Sequence, residues 1–494
     1  MLLSAIVCCL VSVIAAKSPK ALIIFALLFT IILLVAIFKN KSHVAVVLLI
    51  FILCVIFSTT VAIGKVDKYA SFDKVKSECV LTVMEITYKS DELYCADVKV
   101  LESNNLKNGT KLSLYYYSPK LNIGDTVKAS LELSAIKSDY KMNYYSRGIY
   151  LSGRMREFEK LDNRVNKSLK AVGGVREYIK TTAFKYMDYE SAATLCALLF
   201  GDDSYFSPEF YNNVKCAGVS HVMVVSGMHL TILVTFLMFG INKFFHNRYV
   251  CAAVQLFSVF LLCAVCGFTM SIMRAGVMYI IASLGLILKR RGASENTLGA
   301  AVSIILIFSP FAIFNVSFQL SVLSTFGILG VALTLRRYII RNKLIKNSVL
   351  RELLFAATIS LSATLLTLPV VISIFGYVST VGVITTLIIT YPVTISIWLS
   401  ILGLIVNLFS PFIAKIIFIP CNLAVKFVNY IINRFGKLPF STVEADKKWV
   451  YVSIIAIIFI FWFMLACKKR IDMIKLKEMR AKIIKEGGRK LKWR

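Results

Sequence analysis

The sequence predicts a polytopic α-helical membrane protein that carries a small all-β domain outside the membrane. The chain has 494 residues, of which 58% are hydrophobic and only 17% are charged. A soluble domain has about 45–50% apolar and about 25% charged residues. The apolar residues also lie in long runs, and one stretch between those runs alternates apolar and polar residues instead. These features exclude a water-soluble globular protein.

The apolar runs define the candidate membrane spans, since about 20 apolar residues cross the hydrocarbon core. We expect about 10–12 spans, because the first run is short and Pro392 should bend or break the run at 378–406. The runs lie at 2–16, 21–38, 43–64, 217–240, 249–267, 273–288, 297–314, 318–335, 352–375, 378–406, 411–433 and 449–466.

The net charge of +30 is large, and much of it lies in clusters between and after the runs. Short cytoplasmic loops collect Lys and Arg, so we place the loops at 289–291 and 336–351 and the basic tail inside. The region between the third and fourth runs then lies outside. The predicted units are N-terminal spans (1–64), an outer β-domain (65–160), surface helices with a polar motif (161–216), a transmembrane domain (217–467) and a cytoplasmic tail (468–494).

The sequence of the outer region predicts five short strands followed by a helix. Five strands in about 80 residues predict a small Greek-key barrel of the OB type, with a simple sandwich as the alternative. Residues 165–187 have apolar side chains at helical spacing, which predicts a helix on the membrane surface or a solvated linker helix. The strands are expected at 79–87, 93–101, 111–117, 126–135 and 149–154.

Cys79 and Cys95 are the two cysteines of this outer region, where a disulfide would persist. If their strands form a simple hairpin, the two residues are about six positions out of register, too far apart to bridge. A disulfide therefore requires a bulge or a different strand order.

The sequence lacks the motifs that mark several kinds of enzyme chemistry. The chain has no Gly-x-x-x-x-Gly-Lys-Ser/Thr loop and no Gly-x-Ser-x-Gly elbow, and its one Cys-x-x-Cys pair is not repeated. We therefore expect no cofactor, no metal ligands and no catalytic residues, and we do not expect this chain to hydrolyse ATP.

The most unusual stretch is 197–230, where acids and histidines crowd the start of a predicted span. Ionisable residues at membrane depth usually serve a function. His221 and His229 would lie about 12 Å apart along a straight helix, so they converge only if the chain breaks near Ser226. An aqueous path, a metal site, Ser–His catalysis and a structural role all remain open. The residues are Asp202, Asp203, His221, Ser226 and His229.

Arg274, Gln319 and Ser321 extend this polar set into later spans. Arg274 lies near the end of a span, so it either snorkels to the headgroups or faces a pore. Ser321 shares a helix face with other serines, which favours close helix packing. Gln319 points elsewhere and would hydrogen-bond across the bundle or to a ligand.

These residues resemble the ComEC family of competence proteins, which form the inner-membrane channel for single-stranded DNA in natural transformation. Two departures are Ser317, where the family often has Gly, and Thr385-Thr386, about where it often has Asn. No His-x-His-x-Asp-His motif of a metallo-β-lactamase-like nuclease occurs, so we expect a member without that domain. The matching pieces are Asn143-Tyr-Tyr-Ser-Arg-Gly-Ile149, Ala197-Leu-Leu-Phe-Gly-Asp202, Ala217-Gly-Val-Ser-His221, Val225-Ser-Gly-Met-His229, Arg274-Ala275 and Phe318-Gln-Leu-Ser321.

The resemblance implies a non-enzymatic DNA channel in the bacterial cytoplasmic membrane. It implies single-stranded DNA, membrane lipids, an outer DNA receptor, a cytosolic ATP-driven translocase and further copies of the chain as partners. A transporter of another anionic polymer or lipid, or an intramembrane hydrolase at His221 and His229, is the alternative. The polar path would include Asp202, Asp203, His221, Ser226, His229, Arg274, Gln319 and Ser321.

Under the DNA-channel hypothesis, the outer barrel binds the single-stranded DNA through lysines and through tyrosines on which bases stack. The alternative is that this aromatic strand faces the barrel core or the headgroups. The DNA-binding candidates are Lys111, Tyr115, Tyr116, Tyr117, Lys120 and Lys128.

Overall fold

A computed structural model shows how these elements are arranged. The predicted spans at 2–16 and 21–38 and the basic tail lie outside the described residues, as does Lys120. The structure describes residues 42–90, 93–117, 121–137, 141–161, 166–244, 247–289, 294–341, 347–446 and 448–460.

The β-domain is a closed five-stranded barrel with the order β1-β2-β3-β5-β4. Strands β3 and β5 pair in parallel, whereas the other pairs are antiparallel. This order and closure are those of an OB-type barrel, which confirms the prediction and excludes the sandwich. The strands are β1 (Val75–Ser90), β2 (Leu93–Ser103), β3 (Lys111–Tyr116), β4 (Thr126–Ala135) and β5 (Ile149–Lys160).

The alternating sequence explains the barrel interior. Successive side chains of a strand point to opposite faces, so Leu112, Leu114 and Tyr116 of β3 all point inward and are fully buried. On β5, Gly153 lies where an added Cβ would come within 3.0 Å of Leu114 and Leu133, so only glycine fits this position. The apolar interior thus forms because the period-2 pattern places one face of every strand inside.

The barrel register separates the two cysteines of the β-domain. Cys79 lies opposite Ser103, and Cys95 lies opposite Thr87. The Cys79 thiol donates to Ser103 Oγ at 3.2 Å, and Cys95 Sγ lies 3.3 Å from Ser113 Oγ. The Cys79–Cys95 disulfide is therefore wrong, because β1 and β2 pair as consecutive antiparallel strands whose irregularities still leave the two residues out of register.

The rest of the described chain is mainly helical. Two short strands, β6 (Tyr377–Ser379) and β7 (Thr442–Glu444), pair antiparallel. A 3-10 turn (Pro310–Phe314) precedes α11, and a π-helical turn (Gly327–Ala332) joins α11 to α12. The helices are α1 (Ser42–Ala70), α2 (Lys141–Ser146), α3 (Lys167–Tyr186), α4 (Tyr189–Phe200), α5 (Pro208–Cys216), α6 (Ser220–Met223), α7 (Gly227–Phe244), α8 (Arg248–Val265), α9 (Met270–Ile287), α10 (Ser294–Phe308), α11 (Val316–Phe326), α12 (Leu333–Arg341), α13 (Ser348–Phe375), α14 (Gly382–Asn407), α15 (Pro411–Gly436) and α16 (Lys448–Ile460).

Five helices of the described residues are long and apolar enough to cross a membrane, which confirms a polytopic membrane protein. Pro392 lies inside α14 without ending it, so of the two alternatives for this proline the break is wrong, and the bend stays a prediction. Shorter apolar helices include Gly227–Ile241 and Tyr249–Val265. The five long segments are Met270–Ile287, Val316–Ile340, Leu350–Phe375, Gly382–Asn407 and Pro411–Gly436.

Helices α3 and α4 attach the barrel to the helical bundle. The Arg176 Nε of α3 donates to the Val265 carbonyl at 2.5 Å, and the Tyr178 hydroxyl donates to the Leu404 carbonyl at 2.8 Å. Helix α3 therefore packs across the ends of α8 and α14. The residues of α4 from 191 to 198 are all buried, so this helix belongs to the core of the bundle.

Candidate functional site

The barrel is fastened to the bundle at the start of α11. The Asn315 Oδ1 caps this helix by accepting from the Phe318 N–H at 3.1 Å. Its Nδ2 donates to Asn143 Oδ1 at 2.5 Å and to Ser146 Oγ at 3.0 Å. One asparagine thus caps a bundle helix and also holds helix α2, which connects β4 to β5 of the barrel.

Arg274 lies in the second turn of α9 with its side chain inside the bundle. It is only 6% exposed. Its Nε donates to Ser321 Oγ at 2.7 Å, and its Nη1 lies 3.2 Å from Met278 Sδ. Ser321 Oγ also accepts from Ser271 Oγ at 3.0 Å. The Arg274 guanidinium hydrogen-bonds to Ser321 of α11 inside the bundle. The alternative that Arg274 snorkels to the headgroups is therefore wrong.

The guanidinium also lies against the first residue of α7. A Cβ added at Gly227 would lie 3.0 Å from Arg274 Nη2 and 3.1 Å from Ala275 Cβ, so the close approach of the two helices requires glycine. Helix α6 ends at Met223 and α7 begins at Gly227. The predicted chain break next to Ser226 is confirmed.

His229 folds back onto this break. It is 3% exposed, and its Nδ1 accepts from the Ser226 N–H at 3.2 Å. Because Nδ1 is an acceptor, the neutral imidazole carries its proton on Nε2. That Nε2 has no hydrogen-bond partner among the described residues. His229 therefore presents a buried, unsatisfied donor at the start of α7.

The Ser226–His229 pair does not form a complete catalytic arrangement. Ser226 Oγ lies 3.2 Å from His229 Nδ1 and also accepts from the Met228 N–H at 3.3 Å. Catalytic pairs need a third group that orients the histidine through its other nitrogen. Within the described residues His229 Nε2 has no such group. The geometry is that of a local turn.

His221 lies on α6, and its side chain is exposed. Its imidazole is close enough to interact electrostatically with that of His229. The described ranges contain no group of three or more His, Cys, Asp or Glu side chains that could hold a metal ion. The two histidines are neighbours along one stretch of chain and do not form a metal-binding set with other residues there.

Asp202 and Asp203 follow the end of α4, where Gly201 adopts a left-handed φ of 79°. A Cβ added to Gly201 would lie 3.5 Å from Val225, so this turn packs directly before Ser226. Asp202 Oδ1 accepts from Ser204 N at 3.1 Å and from Ser204 Oγ at 2.5 Å. Burial raises the pKa of Asp203, as does the charge of Asp202. The acids form a local turn beside the break.

Gln319 stabilises the chain next to it. Its Nε2 donates to the Ile313 carbonyl at 2.7 Å. This bond holds the 3-10 turn that precedes α11 and leads back to the barrel contact at Asn315. The structure therefore assigns Gln319 a local role, whereas the sequence suggested a bond across the bundle or to a ligand.

The three tyrosines at the end of β3 and directly after it differ in their exposure. Tyr116 is 1% exposed and stacks on Tyr94 with the ring centroids 5.4 Å apart. Tyr116 is therefore wrong as a platform for bases, because the period of the strand turns it into the core. Tyr117, in contrast, is 65% exposed. Tyr115 is half-buried and hydrogen-bonds Tyr144.

The candidate lysines differ in their surroundings. Lys128 on β4 is exposed. Lys111 begins β3, and its Nζ donates to the Arg147 carbonyl at 3.4 Å. Burial lowers the pKa of Lys111, and the nearby Asp97 charge opposes that shift. Lys111, Lys128 and Tyr117 are thus the candidates that the structure leaves exposed.

An acidic pair on the outer face of the barrel was not predicted. Glu85 and Asp97 are cross-strand partners on β1 and β2. Asp97 Oδ2 accepts from Arg147 Nη1 at 2.6 Å. A Cβ at Gly267, between α8 and α9, would lie 2.8 Å from Glu85 Oε1. Burial raises the pKa of both carboxyls, and the Arg176 charge partly opposes this for Glu85.

Sequence reasoning missed the pair because the outward alternation of β1 does not show what that face meets. The tertiary contact with the loop after α8 supplies the burial. The local signal at this contact is a left-handed φ at Gly267 (76°) and at Phe268 (56°), and both residues lie far from the barrel in sequence.

Comparison with known proteins places the bundle in a family. The family model described as "Competence protein" matches residues 198–470, which is more than half of the chain. The chain belongs to the competence protein family. The matched range contains Ser226, His229, Arg274 and Ser321, whereas the barrel lies before it. Family membership and the spanning helices together confirm the resemblance inferred from the motifs.

One curated relative in this competence protein family is "ComE operon protein 3" of Bacillus subtilis (strain 168). It is 24% identical over 191 residues, which are 39% of this chain and 24% of the relative. The match therefore spans about a quarter of that relative's length. No solved structure matches the chain significantly.

Proposed function

We propose that the chain is a membrane conduit for uptake of single-stranded DNA across the bacterial cytoplasmic membrane during natural transformation. Membership of the competence protein family supports the process. The observation that carries the conduit is Arg274, a cation held 94% out of solvent inside the bundle, for which the described residues provide no acidic partner. A buried charge without a counter-ion favours an anion as its ligand.

The OB-type barrel supports a nucleic acid as that anion. OB-fold barrels bind single strands through a basic groove and exposed aromatics, and stacking is typically worth about 1–3 kcal/mol per base. Tyr117 and Lys128 are the exposed aromatic and basic residues of this kind. Contacts from Asn315 to α2 hold the barrel directly over α11, the helix that contacts Arg274.

The orientation that we propose puts the barrel outside and the basic tail inside, since short basic segments remain cytoplasmic. Energy then comes from a cytosolic ATP-driven translocase, and an outer receptor delivers DNA to the barrel. Anionic lipid contacts the basic loops, and further copies of the chain complete the assembly. The conduit itself performs no hydrolysis in this proposal.

Deletion of the gene in a transformable host tests this function. We expect the deletion to abolish entry of labelled DNA into the cytoplasm while DNA binding at the cell surface continues, and the wild-type gene to restore entry. Normal transformation in the deletion strain would overturn the proposal. Restored lipid transport without DNA entry would favour the anionic-lipid alternative.

Barrel variants test the DNA-binding part separately. Tyr117→Ala should weaken binding of an oligothymidine by about tenfold, because it removes one stacking platform worth about 1–3 kcal/mol. Tyr116→Phe is the matched control, since this side chain lies in the core and loses only the hydroxyl that accepts from Leu121 N. Fluorescence anisotropy of the purified full chain measures both. Equal losses in the two variants would contradict a stacking role for Tyr117.

A further inference from the structure

The Arg274 guanidinium is incompletely hydrogen-bonded in a buried place. It has five N–H donors. Nε donates to Ser321 and Nη1 contacts the sulfur of Met278, a weak acceptor. Arg274 has no further hydrogen bond or ion pair with the described residues. At least the two donors of Nη2 are therefore unused at a side chain that is 6% exposed.

The unused donors point to the start of α7. Nη2 lies 3.0 Å from the place where a Cβ on Gly227 would be, so the lack of a side chain at Gly227 lets the guanidinium lie against the backbone of this helix start. The first N–H groups of a helix have no partner within the helix and carry the positive end of its dipole. Ser226 Oγ accepts from the Met228 N–H at 3.3 Å, and so helps to fix the backbone at this end.

His229 adds an independent observation at the same helix start. Its side chain is 3% exposed, and Nε2 has no partner among the residues that the structure describes. Nδ1 accepts from Ser226 N, so Nε2 carries the proton and is a donor. A buried donor without an acceptor costs about 1–3 kcal/mol. His229 and Gly227 are two positions apart, and residues two apart on a helix do not share a face, so this donor lies on a different side of α7 from the Arg274 contact.

We infer that Arg274 and the start of α7 at Gly227 form a binding site for one phosphodiester anion. A guanidinium matches two phosphate oxygens with its planar pair of N–H groups. The charges also match, since a phosphodiester carries one negative charge and Arg274 supplies one positive charge.

Two sources supply phosphodiesters to a membrane protein, namely the backbone of single-stranded DNA and the headgroup of an anionic lipid. The first source rests on the proposed function, while the site itself rests on the buried donors. We commit to the DNA backbone, because Arg274 binds α11, the same helix whose first turn docks the OB-type barrel.

Binding of a labelled oligothymidine to the purified full chain tests the site, with Arg274→Gln and Arg274→Lys as variants. Arg274→Gln should lower affinity by about tenfold, since bonds between charged partners are worth about 1.5–3 kcal/mol. It should also make the slope of log affinity against log salt shallower by about 0.7, the value for one phosphate of a single strand. Arg274→Lys should retain the slope and lose affinity, because it keeps the charge without the planar fork.

Arg336→Gln is the matched control, since it removes one arginine whose Nη2 already pairs with Glu352 at 3.2 Å. It should leave the affinity and salt slope of the wild type. Inorganic phosphate should raise the unfolding temperature of the wild type and of Arg336→Gln, but not that of Arg274→Gln. This second readout needs no DNA, and it also shows whether each variant is folded.

Unchanged oligonucleotide affinity, salt slope and phosphate stabilisation in a folded Arg274→Gln chain would overturn the site. Nanodiscs of phosphatidylglycerol or phosphatidylcholine distinguish the sources. Arg274→Gln could lose the preference of the wild type for phosphatidylglycerol over phosphatidylcholine and still bind the oligonucleotide as tightly. That result would support the phosphodiester site but overturn DNA as its source. If the wild-type gene does not restore DNA entry to the deletion strain, the conduit is refuted while the phosphate result still stands. Failure of the conduit and failure of the phosphodiester site are therefore distinguishable.

Discussion

Arg274 Nε donates to Ser321 Oγ at 2.7 Å, and this bond links α9 to α11 across 47 positions of sequence. Helix α11 begins next to Asn315, which holds the barrel through Asn143 and Ser146. The buried cation is therefore less than two helical turns from the residue that docks the barrel. Helix α11 thus carries both the serine that binds Arg274 and the asparagine that docks the barrel, although these motif pieces are scattered along the chain.

Ser321→Ala should destabilise the junction of α9 and α11. The substitution removes the oxygen that accepts from both Arg274 and Ser271, and it leaves a buried guanidinium with one weak contact. We expect the free energy of unfolding to fall by about 1.5–3 kcal/mol, the usual value of a hydrogen bond to a charged group. Thermal unfolding of the purified chain measures the loss.

Ser324→Ala is the control for this change. Ser324 lies on the same helix, but its hydroxyl bonds only to the Ser321 carbonyl of its own chain segment at 3.1 Å. Its removal should change stability by less than about 0.5 kcal/mol, as at sites without a special mechanism. An equal effect of the two alanines would show that Arg274 does not depend on the Ser321 hydroxyl.

Asn315→Asp should loosen the barrel without removing the cap of α11. A carboxylate still accepts from the Phe318 N–H, as Asn315 Oδ1 does. It cannot donate to Asn143 Oδ1 and Ser146 Oγ, and it repels the first of these oxygens. We expect faster hydrogen exchange in α2 and in the turn from 309 to 315, with the α11 backbone little changed.

Asn315→Ala separates the two roles, because it loses the cap and the docking bonds together. Loss of an N-cap typically costs about 1 kcal/mol, so Asn315→Ala should also speed exchange in the first turn of α11. If Asn315→Asp left α2 as protected as in the wild type, the contacts of Asn315 would not be what holds the barrel.

The sequence predicted the barrel well because its signal is local. Period-2 alternation and turn residues determine each strand, and the register follows from which face is apolar. Even the separation of Cys79 and Cys95 follows from a simple hairpin. The same rule would have placed Tyr116 inside and Tyr117 outside, since neighbouring residues of a strand face opposite sides.

The polar site could be predicted only in part. Composition and the membrane setting identified Arg274, His229 and Ser321 as unusual, and the break near Ser226 followed from Ser-Gly in an apolar run. Their mutual contacts depend on how α7, α9 and α11 pack, which no local pattern encodes. The acidic pair of Glu85 and Asp97 was missed for the same reason, because its burial comes from a loop of the bundle.

Glu85 should make the stability of the chain fall as pH rises. Burial raises its pKa in the folded protein, so between the ordinary carboxyl pKa and this raised pKa the folded state binds more protons than the unfolded state. The free energy of unfolding is then highest below that range and decreases as pH rises through the raised pKa. Asp97 acts in the same direction. Arg147 opposes both pKa shifts, whereas Arg176 opposes only that of Glu85.

Glu85→Gln removes the ionisation at Glu85 and should reduce this loss. Unfolding temperatures between pH 4 and pH 8 should decline less in the variant than in the wild type, and the gap should widen toward neutral pH. Glu157→Gln, at an exposed position of β5, is the control and should follow the wild type. Parallel profiles for wild type and Glu85→Gln would show that this carboxyl is equally ionised in both states.

Gly227→Ala should push the Arg274 guanidinium away from the start of α7. The new Cβ would lie 3.0 Å from Nη2 and 3.1 Å from Ala275 Cβ, which is closer than carbon atoms normally pack. Overpacking of this kind typically costs about 1–3 kcal/mol. Gly240, on the same helix, has nothing within 4 Å of its Cβ position. Gly240→Ala should therefore be neutral or stabilise the helix by about 0.5–1 kcal/mol.

The two glycine variants also test whether oligonucleotide binding depends on the close approach of Arg274 to Gly227. If the site holds a phosphodiester, Gly227→Ala should weaken oligonucleotide binding at a temperature where the variant is fully folded, and Gly240→Ala should not. Thermal unfolding and anisotropy on the same two preparations separate the effects. A Gly227→Ala chain that unfolds earlier yet binds as tightly as the wild type would mean that glycine serves only the packing of α7 against α9.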